Sequence, residues 1–254
     1  MKILCDIGNT STTILFISKN LTKLKKVCTK KFLESIKSYK NEEFYLSCVV
    51  NEIEKKIRKN FKNVKFIYYK DLLKYMEIKY NLKNIGSDRL LNAFFVKEIF
   101  GNKSCIISLG TAIVVDYIDK NCKYVGGEIF PGIRILAKGL YDYTSKLPFI
   151  NANNLDVKIP NSFLNLVGNN TKDCIIKGII NFCFSGIKNF VEVLKPKNLI
   201  ITGGDGEIFF NILKFDDINV VFIKNLVILG IVLWCYYEKI LTQEEFDDVV
   251  KKIL

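Results

Sequence analysis

Short runs of β-branched and aliphatic residues alternate along the chain with amphipathic stretches, and the two patterns lay out an order of elements. Residues 2–7 and 11–17 are apolar runs on either side of Gly8-Asn9-Thr10, which predicts a β-hairpin. Further strands are predicted at 44–50, 64–68, 105–109 and 113–118. Between them the apolar spacing turns helical at 52–61, 71–76 and 88–100. The second half predicts a long helix over 173–194, a strand at 198–202, and helices over 226–241 and 244–253. Thr242 followed by Glu245 is a capping box that opens the last helix. Strands and helices interleaved in this way indicate an α/β architecture.

One block recurs. Cys5-Asp6-Ile7-Gly8-Asn9-Thr10-Ser11-Thr12-Thr13 is a strand, a Gly/Thr turn and the start of a second strand. Ile107-Ser108-Leu109-Gly110-Thr111-Ala112-Ile113 repeats it with a turn one residue shorter. A third glycine turn, Thr202-Gly203-Gly204-Asp205-Gly206, also follows a strand. The repetition suggests a duplicated domain with a cleft between the halves; on spacing alone, two unrelated hairpins fit as well.

Composition narrows the chemistry. With 49% apolar residues in 254, the chain has the means to bury a large core. The longest uncharged apolar run, residues 226–237, is too short to cross a bilayer, and Asp6 arrives too early for a signal peptide. No membrane association and a cytoplasmic location are the expectations. The net charge of +12 invites a nucleic-acid partner. However, the excess is lysine, scattered among acids, and Arg58, Arg89 and Arg134 are the only arginines, so a solvated surface and no nucleic acid are expected. The eight cysteines form no C-x-x-C pair, and Cys5, Cys48 and Cys105 lie in apolar runs as small hydrophobes. Histidine is absent, which excludes Ser-His and Cys-His dyads and His-containing zinc sites. Acid–base work falls to carboxylates, lysine, tyrosine or cysteine.

The glycine turns offer an anion site. Tight Gly/Thr turns after strands present backbone N–H groups and hydroxyls, so Gly8, Asn9 and Thr10, and Gly110 and Thr111, are candidates to cradle phosphates, while Gly203 and Gly204 would let a nucleotide approach the backbone closely. Asp6, at a strand end, is suited to hold Mg²⁺ through water. Neither a G-x-x-x-x-G-K-[ST] loop nor a dinucleotide fingerprint occurs. Gly86-Ser87-Asp88-Arg89 precedes an apolar helical run. It reads either as a base beside a charge that orients an anionic substrate, or as a helix cap with a solvated arginine.

Taken in order, Asp6-Ile7-Gly8-Asn9-Thr10, Gly86-Ser87-Asp88-Arg89, Gly110-Thr111-Ala112, Gly126-Gly127-x-Ile129-x-Pro131-Gly132, Leu147-Pro148 and Thr202-Gly203-Gly204 resemble the motif series of type III pantothenate kinases. The resemblance implies a duplicated ribonuclease H-like fold of the acetate and sugar kinase, heat-shock ATPase and actin group, with a central cleft. The halves are drawn at 1–103 and 104–254. It implies ATP-dependent phosphorylation of pantothenate, the first step of coenzyme A synthesis, with Asp88 as general base. By the same resemblance Tyr80, Gly86, Ser87, Asp88, Arg89 and Thr171 belong to the pantothenate site. Asp6, Ile7, Gly8, Asn9, Thr10, Ser11, Thr12, Thr13 and Thr111 belong to the ATP site, with Mg²⁺ as cofactor, and a homodimer is implied. Two positions depart from the family. Ser108 stands where relatives carry an aspartate for a monovalent cation (K⁺ or NH₄⁺), so that requirement is expected to be weak or absent, or met by another ligand. Leu82 stands where proline is usual, which implies a local loop change.

Overall fold

The computed structural model describes residues 1–19, 21–82, 85–151 and 167–254. Two units form around two sheets. The first comprises Met1–Gly101, Cys122–Tyr124 and Asn225–Leu254; the second comprises Asn102–Asn121 and Val125–Lys224.

In the first unit the expected hairpin is present. Strand β1 (Lys2–Ile7) runs antiparallel to β2 (Ser11–Ser18), and β3 (Leu21–Cys28) continues the meander. Strands β4 (Glu43–Cys48) and β5 (Val64–Phe66) add in parallel on the other side of β1, giving the order β3-β2-β1-β4-β5. Alternation along β1 sends Ile3, Cys5 and Ile7 to one face. There they pack with Ile14, Phe16, Phe44, Leu46, Phe32 of α1 (Phe32–Ser35) and Ile57 of α2 (Asn51–Asn60). The opposite face carries Leu4 and Asp6 and receives α4 (Ser87–Phe100) and α8 (Leu226–Tyr237), after the short α3 (Tyr69–Leu72). Both long helices are apolar nearly all round because each is buried. They approach so closely that a Cβ on Gly230 of α8 would lie 2.4 Å from the Leu91 carbonyl oxygen. The final helix α9 (Gln243–Ile253) opens with the expected Thr242–Glu245 capping box. It is tied to the sheet by Lys2 Nζ to Glu245 at 2.8 Å and by the Thr22 hydroxyl donating to Asp248 at 2.9 Å.

The second unit repeats the plan. Strands β6 (Ser104–Leu109) and β7 (Ala112–Ile118) form the second hairpin, and β8 (Tyr124–Pro131) lies beside β7. Strands β9 (Asn198–Thr202) and β10 (Asn219–Phe222) add in parallel on the far side of β6, so the order β8-β7-β6-β9-β10 matches the first sheet strand for strand. Duplication is thus visible in topology. One face of this sheet (Cys105, Ile107, Leu109, Ile113, Val115, Leu199, Ile201) packs with α5 (Ile133–Asp142), α6 (Thr171–Leu194) and α7 (Gly206–Ile212). Buried positions Ile175, Ile179, Cys183, Ile187 and Val191 recur at helical spacing along α6.

The sequence pattern missed β3, β8, β10, α1, α5 and α7. Strand β3 is a lysine-rich edge strand with Leu21 and Leu24 exposed, so it shows no half-buried alternation. The expected 226–241 helix ends at Tyr237, where Lys239 takes a positive φ of 58°. The boundary drawn at 103/104 assigns all of 104–254 to one half, whereas Asn225–Leu254 packs with the first unit, because α8 covers β1 and β4. By length and composition α6 is long and apolar enough to cross a membrane, although its mean hydropathy of 1.3 comes in large part from the core stripe just described. All eight cysteines are free, and burial pushes the Cys5, Cys105 and Cys235 thiols well up, as expected of inert core residues.

Candidate active site

Register fixes a polar row on one face of the first sheet. Asp6 at the end of β1 pairs with Thr13 on β2 and with Ser47 on β4, and Thr13 pairs with Lys26 on β3. Directly paired residues point to the same face, so Lys26, Thr13, Asp6 and Ser47 form a line across four strands. The line continues into a helix, since the hydroxyls of Ser47 and Ser87 share a hydrogen bond at 2.9 Å and both residues are buried. That contact seats the first turn of α4, and with it Asp88, beside Asp6.

The electrostatics record the same proximity. Burial is the larger cause and the charge of Asp88 the second in raising the Asp6 carboxyl from 3.8 to about 7, while Lys26 pulls it down. A buried carboxylate beside a second one suits a divalent cation, which such sites hold with one or two carboxylates plus phosphates and water. Among the described residues no group of three or more acids, cysteines or histidines forms an all-protein cage, so one or two carboxylates with substrate oxygens is the arrangement this donor set fits.

The turn after β1 is held from below. Gly8 N–H donates to the Ser11 carbonyl at 3.2 Å, the Thr29 hydroxyl donates to the Gly8 carbonyl at 2.6 Å, and Thr29 N–H donates to the Thr10 carbonyl at 3.1 Å. The buried Thr12 hydroxyl bonds to Thr29 Oγ1 at 3.1 Å. Ile7 is fully buried in the core. Among the expected ATP-site residues, Ile7 and Thr12 therefore build the turn, while Asn9 and Thr10 are exposed on it. Thr29 is a supporting residue that no sequence signal marked.

Around Asp88 the geometry separates the two readings of Gly86-Ser87-Asp88-Arg89. The N-cap of α4 is Gly86, and Asp88 lies in the first turn, where the helix dipole favours a carboxylate. Asp88 Oδ1 accepts from the Arg89 N–H at 2.9 Å. A Cβ on Gly86 would stand 2.3 Å from that same Oδ1, so glycine leaves room for the carboxylate. Arg89 is 9% exposed, which a solvated arginine would not be. Its guanidinium lies 5.4 Å from the centre of the Tyr80 ring. Tyr80 in turn meets the buried Tyr124 edge-on at 6.0 Å. Tyr124 holds the approach to Tyr80 by exchanging backbone bonds with Glu77 and Lys79. Tyr80, Gly86, Ser87, Asp88 and Arg89 are thus all brought together; Leu82 lies in the segment leading to α4.

The second unit has its own turn cluster. A Cβ on Gly132, the N-cap of α5, would lie 2.4 Å from the carbonyl oxygens of both Gly110 and Thr111. Gly203 has φ +98°, and a Cβ there would lie 2.2 Å from the Leu109 carbonyl oxygen. Arg134 of α5 pairs with Asp205 at 3.2 Å, joining the third glycine turn to the same cluster. Ser108 occupies the register position of Asp6. It pairs with Val114 and Thr202 as Asp6 pairs with Thr13 and Ser47. Thr171 is the first residue of α6, exposed beside its N-cap Asn170, whose side chain accepts from the Asp173 N–H.

Residues 2–193 match the family model of type III pantothenate kinases. The chain belongs to that family. A type III pantothenate kinase of Sulfurihydrogenibium sp. (strain YO3AOP1) is 32% identical over 237 residues, covering 82% of this chain and 90% of the relative. That of Persephonella marina is 32% identical over 242 residues, covering 84% and 91%. Among solved structures, a Campylobacter jejuni protein described as a conserved Baf family transcriptional activator superposes with a TM-score of 0.64 at 25% identity, covering 94% of this chain and all of that one. A Sinorhizobium meliloti protein described as a 2-dehydro-3-deoxygalactonokinase reaches 0.56 at 12% identity, covering 96% and 98%, a likeness of fold alone. The chain is therefore a kinase, and the family's reaction is its reaction: phosphorylation of pantothenate with ATP, towards coenzyme A.

Proposed function

We propose that Asp88 is the general base of this type III pantothenate kinase, taking the proton from the primary hydroxyl of pantothenate as that oxygen attacks the γ-phosphorus in line. The observation that carries the reading is the seat of Asp88: one oxygen on the Arg89 N–H, room made by Gly86, and Ser87 pinned to the sheet beside Asp6. Tyr80, Gly86, Ser87 and Arg89 of the first unit belong to the pantothenate site. The exposed ring of Tyr80 beside the Arg89 guanidinium supplies an apolar wall and a charge for an anionic substrate. The segment from Asp6 to Thr13 takes ATP, with Asn9 and Thr10 nearest the phosphates and Ile7 and Thr12 as their support. Mg²⁺, held by Asp6 through water, would neutralise charge on the transferred group. The test is a coupled ADP-release assay with and without pantothenate. Pantothenate-dependent turnover that falls by roughly 10²-fold in Asp88→Asn, with ATP still bound, is expected of a lost general base. Full turnover in that variant overturns the assignment.

The monovalent cation is a different matter. The neighbours paired with Ser108 on β7 and β9 are Val114 and Thr202, neither of them a carboxylate, and a hydroxyl is a far weaker ligand for K⁺ than a carboxylate. The residues present do not fit a K⁺ site of the usual kind, and the requirement in this chain is weak or absent.

The active form is a homodimer. Supporting this, α6 leaves Phe182 and Val193 exposed, at 59% and 72%. A mass of one chain in solution at micromolar concentration counts against it.

A further inference from the structure

We propose that Lys26 binds the polyphosphate of the nucleotide in the first unit, an assignment that rests on the reading that Asp6 to Thr13 form part of the ATP site. Strand β3 carries three lysines, Lys23, Lys25 and Lys26, and register separates them. Lys23 and Lys25 pair with Phe16 and Ile14, residues of the buried core face. Lys26 pairs with Thr13, so it alone of the three lies on the face of Asp6. Adjacent strands are about 4.8 Å apart, so two strands place its Cα roughly 10 Å from that of Asp6, and the flexible four-carbon stem closes much of that span. The backbone below it is fixed, because the Thr29 hydroxyl and N–H sew the end of β3 to the Gly8–Thr10 turn.

Charge makes the position matter. A polyphosphate approaching this turn meets Asp6 and the nearby Asp88, both acidic, and needs a fixed protein cation beside them. Arg89 is buried under Tyr80. Lys26 is exposed and, among the described residues, is in no hydrogen bond or ion pair, so its ammonium is available. Its field already reaches the site, since it is the cation that acts on Asp6. The bland alternative is a lysine that merely protects a sheet edge.

Steady-state kinetics and calorimetric binding of ATP and adenosine separate the two. Losing one charge-assisted phosphate contact raises the KM for ATP in Lys26→Ala by roughly ten-fold or more. The KM for pantothenate and the affinity for adenosine, which has no phosphate, stay near wild type. Lys26→Arg recovers most of the loss, and Lys25→Ala, on the same strand but the opposite face, behaves as wild type. An ATP KM in Lys26→Ala no different from that in Lys25→Ala overturns the inference, as does an equal rise for both substrates. Asn9→Ala and Thr10→Ala decide which statement has failed. If they weaken ATP and Lys26→Ala does not, the turn is the ATP site and Lys26 is only an edge lysine; if neither does, the ATP-site reading falls and this inference with it.

Discussion

Asp88 makes Asp6 harder to ionise. Burial first, and then the charge of Asp88 at the start of α4, push the Asp6 carboxyl from 3.8 to about 7. The folded chain therefore holds this proton more tightly than the unfolded chain. Its effect on stability is nil well below the unfolded value; it then grows as a loss while pH rises from 3.8 towards about 7, and it is complete above that. At about 1.4 kcal/mol per pKa unit the loss is of the order of a few kcal/mol. Asp6→Asn, which has no charge to bury, should raise the melting temperature of the ligand-free protein near pH 8, with the gain shrinking to nothing near pH 4, while activity is lost. Thermal melts of both proteins across that range check it; a gain independent of pH would mean the carboxylate is not the cause.

Gly86→Ala tests how finely Asp88 is placed. The backbone there has φ −65° and ψ 138°, open to alanine, and the obstacle is a movable carboxylate oxygen at 2.3 Å. The fold should survive with little change in melting temperature, while Asp88 is displaced from its seat. A misplacement of about 1 Å at a reacting group costs on the order of 10²-fold, so kcat should fall much further than stability. A variant with wild-type kcat would show that Asp88 is not held by this glycine.

The contrast between Asp6 and Lys26 shows what could be read from the chain and what could not. Asp6 and Gly8 announce themselves because a strand must end where a Gly-Asn turn begins, and the same holds for Leu109 and Gly110. Lys26 lies in a stretch that reads as a solvated charge run, and only strand register puts it on the face of Asp6. Ser47 and Ser87 are likewise forty positions apart, joined by a contact that local pattern does not encode. The return of α8 to the first sheet was hidden for a related reason: a helix apolar on every side says that it is buried but not against what. For Arg89 the sequence pattern fits a solvated side chain equally well, and only its burial beside Tyr80 separates the two.

Ser47→Ala probes the link from sheet to helix. The substitution leaves the buried Ser87 hydroxyl without its partner, which costs about 1–3 kcal/mol. Removing both hydroxyls should cost less than the sum of the single losses, since the second change deletes the group the first stranded. Chemical denaturation of the two single variants and the double variant measures this directly; strict additivity would deny the coupling. Because the pair seats Asp88, kcat should also fall in Ser47→Ala, although Ser47 is a strand residue outside the proposed pocket.

Ser108 carries the prediction that sets this chain apart from its relatives. Its register equivalence to Asp6 puts it at the end of β6, between Val114 and Thr202, and the nearest acid on that face of β7, Asp116, is one pair further from the turn and fully buried. A hydroxyl in place of a carboxylate offers too little charge to draw K⁺ from water. Turnover in buffer free of K⁺ and NH₄⁺ should equal that with either ion present. Ser108→Asp should behave differently: a carboxylate at the end of a buried strand needs a counter-charge, so the variant should lose stability in cation-free buffer and recover it, with activity, as K⁺ is added. A steep K⁺ dependence of the natural chain would mean that other oxygens complete a cation site, and the reading of Ser108 would fail.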